Sequence, residues 1–259
     1  MFCRILRIQF KRAIVSPVFL ISSVLFGLGM IFNSAEVVKG SYPSVIATFD
    51  LSSSGMGDVC LSILPVLPFA LSLADERNER SLKFNYVRSS VWNYITAKFI
   101  AVIGSGFLVV VLGYCLFFAV MGVRFPINTN GSLSSTAASA LVDQGRYFTY
   151  LAVMTFNYAL SGALFAGLAL LYSSFLKGKY ALVLLPYLTY DILNHVNAFA
   201  MRLLDSQYSL LNPYSWMIGT VSSNSVIGMV GIKLTCIACV LSVAFFVSEY
   251  MAERGELCD

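Results

Sequence analysis

Charged positions divide the chain into six apolar segments, 13–33, 59–74, 99–123, 147–176, 180–201 and 226–247. Crossing the hydrocarbon of a bilayer takes about 20 apolar residues in a helix. Five segments meet that length, and the pattern predicts an all-α membrane protein. The second segment has only 16 residues between Asp58 and Asp75 and contains Pro65 and Pro68. It reads as a kinked helix that completes an even count of six spans.

Lys and Arg near the ends of spans stay on the cytoplasmic side. Twelve fall on one side: Arg4, Arg7, Lys11, Arg12, Arg77, Arg80, Lys83, Arg88, Lys98, Lys177, Lys179 and Arg254. Lys39, Arg124, Arg146 and Arg202 make four on the other. The asymmetry predicts both termini in the cytoplasm of a multi-pass cell (inner) membrane protein. The outer loops are then 34–57, 124–146 and 202–225, marked by the breakers Asn130-Gly131-Ser132 and Asn212-Pro213.

Composition sharpens this picture. Of 259 residues, 58% are hydrophobic and only 12% charged, about half the charged fraction of a soluble domain. A net charge of +4 is spread between apolar runs as orientation signals, which excludes the basic face of a nucleic-acid binder. The six cysteines lie within apolar segments or near the ends and predict no disulfide framework. The first apolar run exceeds a signal-peptide core and lacks a small-residue cleavage site, so it is expected to be retained. No repeat or composition shift divides residues 1–259, which read as a single transmembrane domain.

Two segments carry most of the charge. Within residues 1–15, Arg4, Arg7 and Lys11 recur on one helical stripe, with Phe2, Leu6, Phe10 and Ala13 opposite. This predicts an interfacial helix, ended by a bend at Ser16-Pro17. Residues 75–98 hold eight of the thirty charges together with Leu82, Phe84, Tyr86, Val87 and Trp92. Such a stretch offers surface to a soluble partner, because aromatics and arginine dominate interface energetics.

Glu79-Arg80-Ser81-Leu82, Arg88-Ser89-Ser90 and Lys98 at the head of the third span resemble the cytoplasmic signature of type-2 ATP-binding cassette (ABC) permeases. Arg80-Ser81 stands where that family has Gly-Thr, and the turn has no proline. The basic N-terminus, the six-span layout and Leu211-Asn212-Pro213 in the last outer loop share the resemblance. It implies a permease subunit paired with a second permease, as homo- or heterodimer, and with separate nucleotide-binding ATPase subunits. It also implies an elbow helix at 1–15 carrying Arg4, Arg7, Phe10 and Lys11, and short re-entrant helices in the last outer loop. The coupling loop at 75–98 would meet the ATPase through Glu76, Glu79, Arg80, Leu82, Phe84, Arg88 and Trp92. ATP and magnesium would be bound by the partner; no G-x-x-x-x-G-K-[ST] loop occurs here. The layout is similar to that of small permeases of peptide-antibiotic export and immunity, which implies an amphipathic peptide, lipid or drug-like substrate.

Inside the spans lie Asp191, His195 and Lys233. Helical rise puts Asp191 roughly 14 Å and Lys233 roughly 10 Å below the outer edge, so they are expected to face one another or one wet cavity. Asp191 and His195 also admit a proton relay, or His195 a helix–helix hydrogen bond. Cys236-x-x-Cys239 reads as packing, as do Ser161, Gly162, Ala166, Gly228 and Gly231. Two other functions remain open. An ion-coupled secondary transporter would use Asp191, His195 and Lys233. An intramembrane hydrolase would pair Ser161 with His195 as base.

Overall fold

The computed structural model describes residues 2–35, 44–53, 55–70, 72, 75–76, 91–127, 138–176, 178–203 and 226–253. Among them all regular structure is helical. Three helices are long and apolar enough to cross a membrane, or four if one bent pair counts as a single span.

The bent pair comprises α1 (Phe2–Ile14) and α2 (Pro17–Asn33), which meet at 54°. The Ser16 hydroxyl accepts a hydrogen bond from the Phe19 amide at 3.1 Å, and Pro17 supplies a preset first helical residue. The expected bend therefore has a cap as its local cause. On α1 the inward positions Ile5, Gln9, Phe10 and Ala13 recur every three or four residues, while Arg4, Arg7 and Lys11 are exposed. The helix is amphipathic as its spacing predicts, but Phe10 is turned onto the protein. Its ring lies where a Cβ on Gly104 would sit, 2.6 Å away.

The next elements are short. α3 (Val45–Ser52) is capped by Ser44, and its Val45 and Ile46 amides donate to Pro126 and Ile127 carbonyls at 2.9 and 3.2 Å. Those donors would otherwise be orphaned at the helix start. α4 (Met56–Ile63) gives way to a single 3₁₀ turn, Leu64–Val66, where Pro65 has no amide to donate. The second apolar segment is thus broken, and is too short to cross a membrane as one straight helix.

α5 (Val91–Arg124) is a 34-residue helix, followed by the small α6 (Ser139–Asp143), the 29-residue α7 (Tyr147–Phe175), α8 (Lys179–Leu203) and α9 (Val226–Glu253). α7 is the centre of the bundle: 78% of its most apolar stretch is buried, against 17% for α9. It packs on α4, α5, α8 and α9. α8 is not among the helices apolar enough to cross; Asp191, Asn194, His195 and Asn197 interrupt its apolar run. Six uninterrupted spans are therefore more than the described helices display.

Glycine sets the two closest crossings. A Cβ on Gly162 of α7 would lie 2.5 Å from Val110 Cγ2 and 3.2 Å from the Gly106 carbonyl of α5. A Cβ on Gly113 of α5 would lie 2.3 Å from the Phe26 ring of α2. Gly231, read above as a close-packing residue, meets nothing within 4 Å. Beside the α2–α5 crossing, Phe26, Phe49, Tyr114, Phe117 and Tyr158 form an aromatic core with ring centroids 5.1–6.4 Å apart. Gly162→Val is expected to destabilise the protein by about 1–3 kcal/mol through overpacking. Gly122→Ala, with open space around it, should be neutral; thermal unfolding in detergent compares the two.

Candidate functional site

One end of the bundle gathers buried charge. Glu76 and Lys98 are almost fully covered, and Lys98 Nζ donates to Glu76 Oε2 at 2.5 Å. Tyr94, one turn before Lys98 on α5, donates its hydroxyl to the same carboxylate oxygen. Arg12, in the last turn of α1, reaches Glu76 Oε1 at 3.6 Å from an exposed position. The Lys98 ammonium also lies over the rings of Phe69 and Tyr94, 5.8 and 5.5 Å from their centroids. The Glu76 carboxylate is thus held by two cations and a phenol. Removing one member leaves an uncompensated buried ion, which costs roughly 3–5 kcal/mol.

Three parts of the sequence meet in this knot: α1, the segment after the 3₁₀ turn, and the first turns of α5. In it the Glu76 carboxylate faces inward, onto α1 and α5. Trp92 remains half exposed and lies against Phe245 of α9, the rings tilted by 42° with centroids 3.6 Å apart. Glu79, Arg80, Leu82, Phe84 and Arg88, together with the last outer loop, lie outside the described residues. Arg4, Arg7 and Lys11 are exposed along α1, and Phe10 is partly buried against α5.

The opposite end is tied by neutral and acidic groups. Asn33 donates to the Ser52 carbonyl at 2.8 Å, Tyr150 to Asp50 Oδ1 at 2.5 Å, and Tyr158 to Ser53 Oγ at 2.8 Å. Deeper in, the Tyr190 hydroxyl of α8 donates to Asp58 Oδ2 at 3.0 Å. Val45 and Ile46, expected in the first outer loop, bond Pro126 and Ile127, expected in the second, while Arg12 and Lys98, expected on the basic side, meet at Glu76.

Lys233 is fully buried on α9, yet its partner is not Asp191. Its ammonium donates to the Asn157 carbonyl at 2.9 Å and to Ser161 Oγ at 2.5 Å, both on α7, with the Tyr158 ring centroid 6.0 Å away. The expected pairing fails because depth along an axis says nothing about rotation around it. A step of one residue turns a helix by about 100°, so Tyr190 points inward while Asp191 points out. Asp191 instead lies 3.7 Å from His195 Nδ1, which donates to the Asp191 carbonyl at 2.9 Å; both side chains are substantially exposed. Ser161 is wholly buried and His195 is not, so the serine–histidine pair needed by a hydrolase is not assembled.

Sequence reasoning missed the Asp50, Asp58 and Tyr94 contacts. Tyr94 carried a signal, since it stands four residues before Lys98 on one helical face; Asp50 and Asp58 pair with tyrosines 100 and 132 positions away and carried none.

Two mutant cycles probe these networks in detergent. Glu76→Gln and Lys98→Met should each destabilise by roughly 3 kcal/mol, with the double variant clearly milder than their sum. Ser161→Ala should cost more with Lys233 present than in a Lys233→Met background, whereas Asp191→Asn should be additive with Lys233→Met. Chemical unfolding with a helicity readout measures both. No protein-family profile matches the chain, and no curated protein matches it.

Proposed function

We propose that this chain is the transmembrane permease subunit of an ABC-type exporter. In this reading it spans the cell membrane six times with both termini in the cytoplasm, and it draws on ATP hydrolysed with magnesium by a separate subunit. The observation that carries this is the Arg12–Glu76–Tyr94–Lys98 knot. A push on the charged segment 75–90 would reach Glu76, and through its bonds both α1 and the long helix α5. An apolar loop that merely reversed the chain would need no such linkage. The twelve-to-four asymmetry of basic residues supports a cytoplasmic location for this end.

The outward face of α8 supports a second permease subunit. Asp191 and His195 lie there among exposed Leu184, Leu188, Ile192 and Val196. Polar groups facing lipid are costly, so such a face is expected to be covered by protein or to line a wet path. A path bounded by this face suits an amphipathic peptide, lipid or drug-like substrate.

A second reading, an ion-coupled transporter, is favoured by Lys233, an ionisable group at depth with no carboxylate within ion-pair reach among the described residues. Affinity purification of the whole chain in mild detergent separates the two. The ABC reading expects an ATP-binding subunit to co-purify, and to be lost when Glu79 and Arg80 are replaced by alanine. Purification without any such subunit, with transport insensitive to ATPase inhibition and abolished by ionophores, would replace it with the second reading.

A further inference from the structure

The bend between α1 and α2 holds an open groove of about 430 Å³ lined by Ile8, Lys11, Arg12, Val15 and Ser16. Its chemistry is split. Lys11 and Arg12 supply two adjacent cations, while Ile8 and Val15 are apolar yet 51% and 70% exposed. Ser16 Oγ accepts from the Phe19 amide, so its hydroxyl hydrogen can still be donated to a ligand oxygen. Arg12 is committed to Glu76 only at 3.6 Å through Nη1, with its side chain 62% exposed. A guanidinium has five N–H donors, which leaves most of its fork available.

We propose that this groove binds an anionic glycerophospholipid. The phosphate would be held by Lys11, Arg12 and the Ser16 hydroxyl, and the first acyl methylenes would lie on Ile8 and Val15. Charge complementarity chooses the occupant. Two cations select a headgroup with net negative charge over phosphocholine, whose ammonium they repel. The exposed apolar flank selects a lipid over a soluble phosphate, which would leave Ile8 and Val15 in water. The bend places both features where an interfacial helix turns into an apolar one, the depth at which a phosphodiester lies. Because Arg12 also contacts Glu76, occupancy is linked to the knot that joins α1 to α5. The proposal does not depend on the presence of an ATPase partner.

Native mass spectrometry of the whole chain in detergent, with equimolar phosphatidylglycerol and phosphatidylcholine added, tests it. Each cation near an anionic surface contributes roughly fivefold, so a preference of about 25-fold for phosphatidylglycerol is expected. Lys11→Gln should lower it about fivefold, and Lys11→Gln with Arg12→Gln should abolish it. The Arg4→Gln, Arg7→Gln variant, altered on the same helix outside the groove, should keep it. Lys11→Gln retains the Arg12–Glu76 pair and so reads the site if the double variant fails to fold. Equal binding of the two lipids, or equal loss in the Arg4, Arg7 variant, overturns the proposal in favour of general surface charge. Displacement of the lipid by millimolar glycerol 3-phosphate overturns it in favour of a soluble phosphate ligand.

Discussion

A charged side chain inside an apolar bundle has no water to turn to, so it must be answered by other side chains or by backbone. That constraint determines which helices touch. Glu76 is answered by Lys98, Tyr94 and Arg12, which draws the segment after the 3₁₀ turn onto α1 and α5. Asp58 is answered by Tyr190, which draws α4 onto α8. Lys233 is answered by a carbonyl and a hydroxyl of α7, which locates α9. Apolar burial alone is non-directional and would permit many rotations of these helices; the polar contacts select one.

The two ends are held by different means. Around Phe49 and Tyr114, aromatic rings interlock and tyrosine hydroxyls reach Asp50 and Ser53. The short helices α3 and α4 lie over that core, and α3 has its first amides bonded to the chain beyond α5. The side-chain contacts described there join tyrosines and an asparagine to a carboxylate, a hydroxyl and a carbonyl. At the other end a few ionic contacts hold α1, the 3₁₀ segment and α5 together, and α1 joins α2 through a 54° bend. Close-packed glycine crossings at Gly106–Gly162 and Gly27–Gly113 lie between, where α5 is pinned to its neighbours. A force applied at the ionic end would therefore be carried by α5 as a stiff element across those crossings.

How much of this was legible depended on whether a property repeats along the chain or joins distant parts of it. The amphipathic face of α1 was legible because its spacing follows the helical period, and the bend was legible from Ser16-Pro17. Pro65 foretold the broken α4 segment. The rotation of α8 was not read: apolar residues stand on its outward stripe, at Leu184, Leu188, Ile192 and Val196, as well as inward, and the expected Asp191–Lys233 pairing rested on depth alone. Nor was the fate of Glu76, which sits among surface-like charges in the sequence and is buried only because Lys98 lies two helical turns into α5. Lys233 was recognisable as an ion needing partners, but a backbone carbonyl and a serine carry no sequence signal as its acceptors.

The same logic bears on what one copy of the chain leaves incomplete. α9 is mostly uncovered and α8 presents Asp191 and His195 outward, whereas Asp50, Asp58 and Glu76 are each turned to a tyrosine, Glu76 to a lysine as well. A lipid-facing surface could accept α9, whose exposed residues Ile227, Leu234, Val243 and Phe246 are apolar. It would not accept α8 equally, because an aspartate and a histidine there have only each other among the described residues. On the proposed reading the asymmetry has a simple source: α9 meets the bilayer, and α8 meets the path shared with a second subunit. The polar pair is then the part of this chain closest to what is carried, and the Glu76 knot is the part closest to what drives it.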